Sequence, residues 1–447
     1  MMNRSEDLGK RFFPEIARVL ERGFRHDRWI LLTDEGRRLA TITLVLAFDD
    51  ALAITLGTVT PLASVVVPLA DATGRVLAED VAADLPLPPF DTTAMDGWAV
   101  RAADVKRTPA LVARAGAAGA GRVPGTLPEG AAWKVMTGAP MPPGSDAVVP
   151  VEDAVEIDTG VVRLDVAPRP GAHVRLRGEV FPKGALLLPA GRRLTPADLV
   201  LAAAAGRATL RVARPVRVAV LVTGDEIVAS GATPGPAQIR NTNGPLLIGA
   251  LRRAGAEVTD LGVARDTEAV LLKALRAALS RGDDVLLTTG GVSAGDYDFV
   301  AAALEAAGAS IRFHKVAIRP AKPVLFATHG ATLVFGLPGN PVSAAIAFDF
   351  FVRPALRAAA GIRPPLPPAL PARLAASIRN KGPRLAFHPA SLSLRDGMEI
   401  VEPLATKGSH DVLAHAQANA FLELPPASFF DEGDLVPVHR GTTESTF

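Results

Sequence analysis

Between residues 284 and 343 an aliphatic run, Val285-Leu286-Leu287, passes straight into Thr288-Thr289-Gly290-Gly291-Val292-Ser293-Ala294-Gly295-Asp296-Tyr297-Asp298-Phe299. An apolar run without polar alternation reads as a strand buried on both faces. The glycine pair behind it lets the backbone adopt positive φ and brings main-chain N–H groups up to a ligand with no side chain in the way. Thr288, Thr289 and Ser293 add hydroxyl donors. Asp296 and Asp298 stand where a helix of about 298–308 begins; there they either cap it or, beside an anion loop, suit Mg²⁺, which takes few carboxylates together with phosphate oxygens. The design recurs downstream in Arg319-Pro320-Ala321-Lys322-Pro323 and in Gly336-Leu337-Pro338-Gly339-Asn340-Pro341-Val342-Ser343. The second of these opens a helix from 341 to about 359, with proline at its start.

The same alternation extends back to about residue 213. A strand at 216–222 ends in Thr223-Gly224-Asp225-Glu226, and a helix over 244–254 puts Leu247, Leu251 and Ala254 on one face. A strand at 256–261 and a helix at 267–281 follow. Aliphatic strands separated by amphipathic helices predict a parallel sheet covered on both faces, with ligands bound at the carboxyl ends of the strands. Before this region, Pro86, Pro88 and Pro89 mark a crossing into 97–168, where short apolar runs broken by Gly and Pro have all-β texture. A helix at 196–205 ends at Gly206. After Gly361 a proline-rich linker at 364–371 leads to a C-terminal region of short strands. Residues 1–42 read as one or two helices with basic faces, and their role is not legible.

Composition narrows the function. Of 447 residues 49% are apolar and only 5% aromatic, so the cores are aliphatic, and three domains are expected at this length. Forty-eight basic against 46 acidic residues leave a net charge of +2, which gives no basis for a nucleic-acid or membrane surface. The absence of Cys excludes disulfides, thiolate zinc sites and a Cys nucleophile, and favours the cytoplasm. No signal-peptide pattern is present, and the most apolar window, 39–59, is broken by Asp49-Asp50. His173, His314 and His388 lack metal-ligand spacing, and surface or core roles suit them better.

Five motifs now carry a resemblance. Pro89-Phe90-Asp91-Thr92-Thr93-Ala94-Met95-Asp96-Gly97-Trp98-Ala99-Val100, Met136-Thr137-Gly138-Ala139-Pro140, Val222-Thr223-Gly224-Asp225-Glu226, Gly290-Gly291-Val292-Ser293 and the 336–343 segment together resemble the molybdopterin molybdenumtransferase (MoeA) family, related to the gephyrin E domain. The resemblance covers about 43–440. It implies a multidomain α/β protein: an extension at 1–42, a discontinuous mixed domain at 43–84 and 169–212, a β-rich lid at 85–168, a doubly wound, MogA-like molybdopterin-binding domain at 213–361, and a C-terminal β domain at 362–447. It also implies an enzyme that inserts molybdate into adenylylated molybdopterin with release of AMP, uses Mg²⁺, and forms a homodimer whose active sites are composite. The molybdopterin adenylyltransferase and molybdoenzyme acceptors are the implied partners, without nucleic acid or membrane.

Residue by residue, the resemblance implies catalytic roles for Asp96, Thr137, Asp266 and Asp298, with Asp298 and Asp296 holding Mg²⁺. Read without it, Asp96 and Thr137 are turn residues and Asp266 is the N-cap of the helix at 267. Thr223, Gly224, Asp225, Gly290, Gly291, Ser293, Pro338 and Asn340 match substrate- and nucleotide-binding positions. Arg319, Lys322, Ser343, Arg384 and Ser409 match positions around molybdate. Two departures fall in that last group: Arg319 stands where many members have Lys, and Gly408-Ser409-His410-Asp411 replaces a Ser-Ser-Arg run. Two other readings share these features: a molybdopterin adenylyltransferase, which needs only the α/β core, and a non-enzymatic scaffold like gephyrin, which needs fused partner domains.

Overall fold

Each aliphatic run between 213 and 343 becomes a strand of one six-stranded sheet in the computed structural model, which describes residues 28–32, 38–43, 45–158, 160–291 and 299–441. We label its strands β1 (Arg217–Thr223), β2 (Glu257–Ala264), β3 (Val285–Thr289), β4 (Ser310–His314), β5 (Leu325–His329) and β6 (Thr332–Leu337). The helices are α1 (Asn243–Arg253), α2 (Glu268–Ser280), α3 (Phe299–Ala306) and α4 (Pro341–Ala347). The strand order is β2-β1-β3-β6-β5-β4.

The sheet is not wholly parallel, as the alternation predicts. β2, β1, β3 and β6 run parallel, but β5 pairs antiparallel with both β6 and β4. Only Gly330 and Ala331 separate β5 from β6, and so short a connection makes a hairpin, never a crossover.

Successive residues of the central strands face opposite layers. Val218, Val220, Leu287 and Phe335 pack with Leu247 and Leu251 of α1 on one side. Ala219, Leu221, Leu286 and Val334 pack with Leu271 and Leu275 of α2 and with Val300 and Leu304 of α3 on the other. The first layer also takes in Phe48 from the helix Phe48–Thr58, which stands edge-on to Phe350, Phe351 and Phe387. Fully burying a ring of this kind contributes about 1.5–3 kcal/mol. After α4 the helix widens into a π segment, Phe348–Val352, and resumes as Arg353–Ala359.

Five strands of the C-terminal region close on themselves. Leu385–Arg395 pairs with Met398–Pro403 and Ala420–Leu424, and the ring is completed through Leu370–Leu374 and Leu435–Arg440. Closure pairs each of these five strands with two others of the ring. Ile318–Arg319 adds to it in parallel, opposite Leu385 and Ala386.

Val65–Val212 form a separate compact unit. Its six-stranded sheet runs, in order, Ala154–Asp158, Val161–Leu164, Ala110–Ala118, Ala131–Val135, Gly97–Val100 and Ala147–Pro150. Gly97 is required there, because a Cβ would collide with the Val149 carbonyl. The helix Pro196–Ala204 starts on a capping box between Thr195 and Asp198.

Residues Arg28–Leu32 and Arg38–Thr43 pair as antiparallel strands, where the sequence suggested helices. Trp29, Ile30, Thr41, Ile42 and Thr43 are aromatic or β-branched, and they outweigh the charges that suggested a basic helical face. Among the described residues no helix is long and apolar enough to cross a membrane.

Candidate active site

The carboxyl ends of β1, β3 and β6 face the C-terminal barrel across a cleft of about 1390 Å³. Its described lining includes Arg240, Arg319, Lys322, Arg379, Arg384 and Lys407, against Glu226 as its one carboxylate. Such a one-signed cleft concentrates anions.

At the floor, β3 ends in Thr289 and turns through Gly290 (φ 99°) and Gly291 (φ 61°), backbone that a side chain would strain. A Cβ on Gly290 would also strike the Thr223 carbonyl at the end of β1. Gly290 N–H donates to Leu337 O (3.1 Å), tying this turn to β6. Asn243 Nδ2 donates to Thr289 Oγ1 and to Gly339 O, both at 2.8 Å.

Beside the glycines lies an acidic corner. A Cβ on Gly291 would sit 3.3 Å from Thr223 Oγ1 and 3.7 Å from Asp266 Oδ1; both oxygens are buried, and the hydroxyl acts on the carboxylate without making a well-aligned hydrogen bond to it. Burial pushes the Asp266 carboxyl above the ordinary range; the Thr223 hydroxyl pulls it back, and the charges of Glu226 and Asp225 add to the rise. Asp225 Oδ1 accepts from the Asp266 N–H at 3.3 Å. Among the described residues no group of three or more His, Asp or Glu side chains could hold a metal ion, and this corner offers one buried carboxylate oxygen and one buried hydroxyl. Asp266 is not the helix cap expected of it: Thr267 holds the N-cap position of α2, and no side-chain capping bond is made there.

The other end of the cleft carries the cations. Ala321, between Arg319 and Lys322, is buried with φ 72°, a left-handed conformation costing a non-glycine residue about 1–2 kcal/mol. Its packing in the core fixes the two exposed cations beside it. Val316 N–H also donates to Lys322 O at 2.9 Å. Arg384 Nη1 donates to Ile318 O (3.0 Å), so the barrel holds the same loop from the opposite side. Ser343 is buried in the first turn of α4, and Asn340 Nδ2 donates to Ser409 Oγ (2.9 Å). His388 bonds through Nε2 to Leu404 O at 2.9 Å. Burial holds the imidazole below its ordinary range; the Leu404 bond opposes this, and the Arg319 charge reinforces it.

Relatives decide the family. Residues 46–206 match the model of the MoeA N-terminal region (domain I and II), 219–358 a probable molybdopterin binding domain, and 371–440 the MoeA C-terminal region (domain IV). A protein of Synechococcus elongatus named molybdopterin molybdenumtransferase is 41% identical over 335 residues, 72% of this chain and 83% of that one. The chain belongs to the molybdopterin molybdenumtransferase (MoeA) family, a family of transferase enzymes. Molybdopterin molybdenumtransferase 2 of Mycobacterium tuberculosis is 38% identical, over 85% of this chain and 93% of that one. The crystal structure of the molybdopterin biosynthesis MoeA protein from Pyrococcus horikosii superposes with a TM-score of 0.77 at 31% identity, covering 90% of this chain and all of that one.

Of the positions expected to be functional by resemblance to the MoeA family, Thr223, Gly290, Gly291, Pro338, Asn340, Arg319, Lys322, Ser343, Arg384 and Ser409 line the one cleft. Gly224 and Asp225 follow Thr223 at the end of β1, beside Asp266. Ser293, Asp296 and Asp298 lie outside the described residues. Asp96 and Thr137 belong to the 65–212 unit and bind each other: Asp96 Oδ1 accepts from Thr137 N (2.6 Å) and Oγ1 (2.8 Å), which holds its carboxyl below the usual range. Residues that the sequence reading passed over also line the cleft, among them Asn243, Arg240, Arg379 and Lys407, and so does His388, for which a surface or core role was expected. The Asn241-Thr242-Asn243-Gly244 cluster at the start of α1 carried a legible signal, being polar turn chemistry on the ligand side of a parallel sheet. His388 and the basic residues carried none, since their places depend on the barrel.

Proposed function

We propose that this chain inserts molybdate into adenylylated molybdopterin, releasing AMP and leaving molybdenum cofactor. The observation that carries this reading is the arrangement of the cleft: a glycine turn at one end, with the Asp266 corner beside it, and Arg319, Lys322, Ser343 and Arg384 at the other. Opening a phosphoric anhydride needs positioning and charge neutralisation more than covalent chemistry. In this reading the glycine turn, whose Gly290 N–H is already given to Leu337 O, holds the phosphates through the Gly291 N–H, while Arg319 and Lys322 bind the oxyanion and the Ser343 hydroxyl orients it.

In this reading Mg²⁺ would be held by Asp298 and Asp296, with the buried oxygens of Asp266 and Thr223 as further oxygen donors. When bound, it would offset phosphate charge as the anhydride opens. We further infer a cytoplasmic homodimer in which the Asp96–Thr137 pair of one protomer serves the cleft of its partner. The adenylyltransferase that supplies the substrate and the apo-molybdoenzymes that accept the cofactor are its proposed partners.

The test incubates purified protein with adenylylated molybdopterin and Mg²⁺, with and without molybdate, and follows AMP release and reconstitution of an apo-molybdoenzyme. Both should depend on molybdate. Adenylylation of molybdopterin from ATP, with no insertion, would instead identify an adenylyltransferase, and inertness in both assays would leave the scaffold reading.

A further inference from the structure

We propose that Asn243 is a positioning residue, a clamp that sets the spacing between the phosphate turn and the oxyanion end of the cleft; this rests on the transferase reading above. Its orientation is fixed by its partners. Gly339 O can only accept, so the atom 2.8 Å from it is the amide nitrogen. Thr289 Oγ1 gives its own proton to Pro338 O (3.1 Å) and therefore accepts from the same nitrogen. Both Nδ2 hydrogens are thus committed, one to the end of β3 and one to the loop after β6.

These attachment points stand immediately before the residues assigned to ligands. Gly290 follows Thr289, and Asn340 follows Gly339 and reaches on to Ser409. One side chain at the start of α1 therefore holds together three segments far apart in sequence. Asn243 is only 6% exposed, and its Oδ1 is buried with no partner. An apolar residue of similar volume would avoid that orphaned acceptor, so packing alone does not account for an asparagine here. The two donated bonds do.

Misalignment of two loops that each still bind their own part of the substrate lowers the rate more than the affinity. For Asn243→Ala and Asn243→Asp we expect kcat to fall on the order of 10- to 100-fold, with KM for molybdate and for the nucleotide substrate little changed. The ionised Asp faces the Gly339 carbonyl without a proton. Its kcat relative to wild type should recover as pH falls and the carboxyl can donate again, a signature that Asn243→Ala cannot show. Hydrogen exchange on the ligand-free proteins reads the clamp without any turnover. Amides of 286–291 and 337–343 should exchange faster in both variants at neutral pH, while those of the C-terminal barrel and of the 65–212 unit stay as in wild type. Unchanged exchange in these two segments overturns the proposal, as does a rise in KM at constant kcat. Loss of protection throughout the chain would mean a general fold role and would also overturn it. The exchange effect in both variants, together with a wild-type protein that makes no product, would defeat the transferase reading and leave the clamp standing.

Discussion

Asn340 Nδ2 and Ser409 Oγ lie 2.9 Å apart, the donor on the loop after β6 and the acceptor on the C-terminal barrel side of the cleft. Val342 N–H also donates to the backbone oxygen of Ser409 at 3.1 Å. Ser409→Ala therefore removes one side-chain bond and leaves the loop anchored. A net loss of about 0.5–1.5 kcal/mol should appear as a higher molybdate requirement, of up to about tenfold, with little change in melting temperature. A molybdate titration identical to wild type would remove Ser409 from the oxyanion end.

Lys322 is exposed on a loop that buried Ala321 fixes in place. Lys322→Ala deletes a charge-assisted contact worth about 1.5–3 kcal/mol, so half-saturation by molybdate should rise on the order of 10- to 100-fold. Nucleotide affinity should hold. An equal loss of nucleotide binding would place Lys322 with the phosphates instead.

Asp266 tests the acidic corner through pH. Its carboxyl is raised in the folded protein, chiefly by burial and then by the neighbouring Glu226 and Asp225 charges. A raised carboxyl favours the folded state below its unfolded pKa, and that contribution is lost as pH rises through the folded value. Asp266→Asn should therefore melt higher than wild type at neutral pH, with the advantage shrinking as pH falls into the carboxylate range. It should also lose activity that added Mg²⁺ does not restore. Thermal melts across pH decide the first part, and a melting temperature lower than wild type at pH 7 would contradict it.

Asp198 gives the opposite sign in the 65–212 unit. Burial alone would raise its carboxyl, but bonds from Arg192 and from the Thr195 backbone and hydroxyl hold it below the ordinary range. Its stabilisation is present above the unfolded carboxyl pKa and is lost as pH falls through the lower folded value. Thr195→Ala should cost about 1 kcal/mol, measured by denaturant unfolding, and Asp198→Ala more, because it also leaves Thr195 N–H and Arg192 unpaired.

The proposed homodimer predicts complementation. Asp96→Ala and Asp298→Ala proteins, each inactive alone, should regain activity when mixed under conditions of subunit exchange, because one cleft of the heterodimer is then intact. Verified exchange without recovery would argue that each protomer works alone.

Much of the α/β region was legible because its strands are continuous aliphatic runs and its loops have glycine where positive φ is required, as at Gly290 and Gly291. The hairpin of β5 and β6 escaped the alternation argument although Gly330 marks its turn. Helix 48–58 shows a different limit: Phe387, which Phe48 touches, is more than three hundred positions away. The sequence places Arg319, Lys322 and Ser343 on loops. That Arg384 holds the Arg319 loop from the barrel side depends on the register of Ile318 with Leu385, which no local pattern encodes.

The contact of Phe48 with Phe350 and Phe387 also bears on how the chain is made. During synthesis the helix 48–58 emerges long before any of its ring partners, and the whole 65–212 unit follows it out first. That unit holds its core within a single stretch of chain and can form while the ribosome is still translating the α/β region. Helix 48–58 meanwhile carries an uncovered aromatic face, and its partners arrive only with the last quarter of the protein. The nascent chain is thus most exposed to aggregation while its second half is being made.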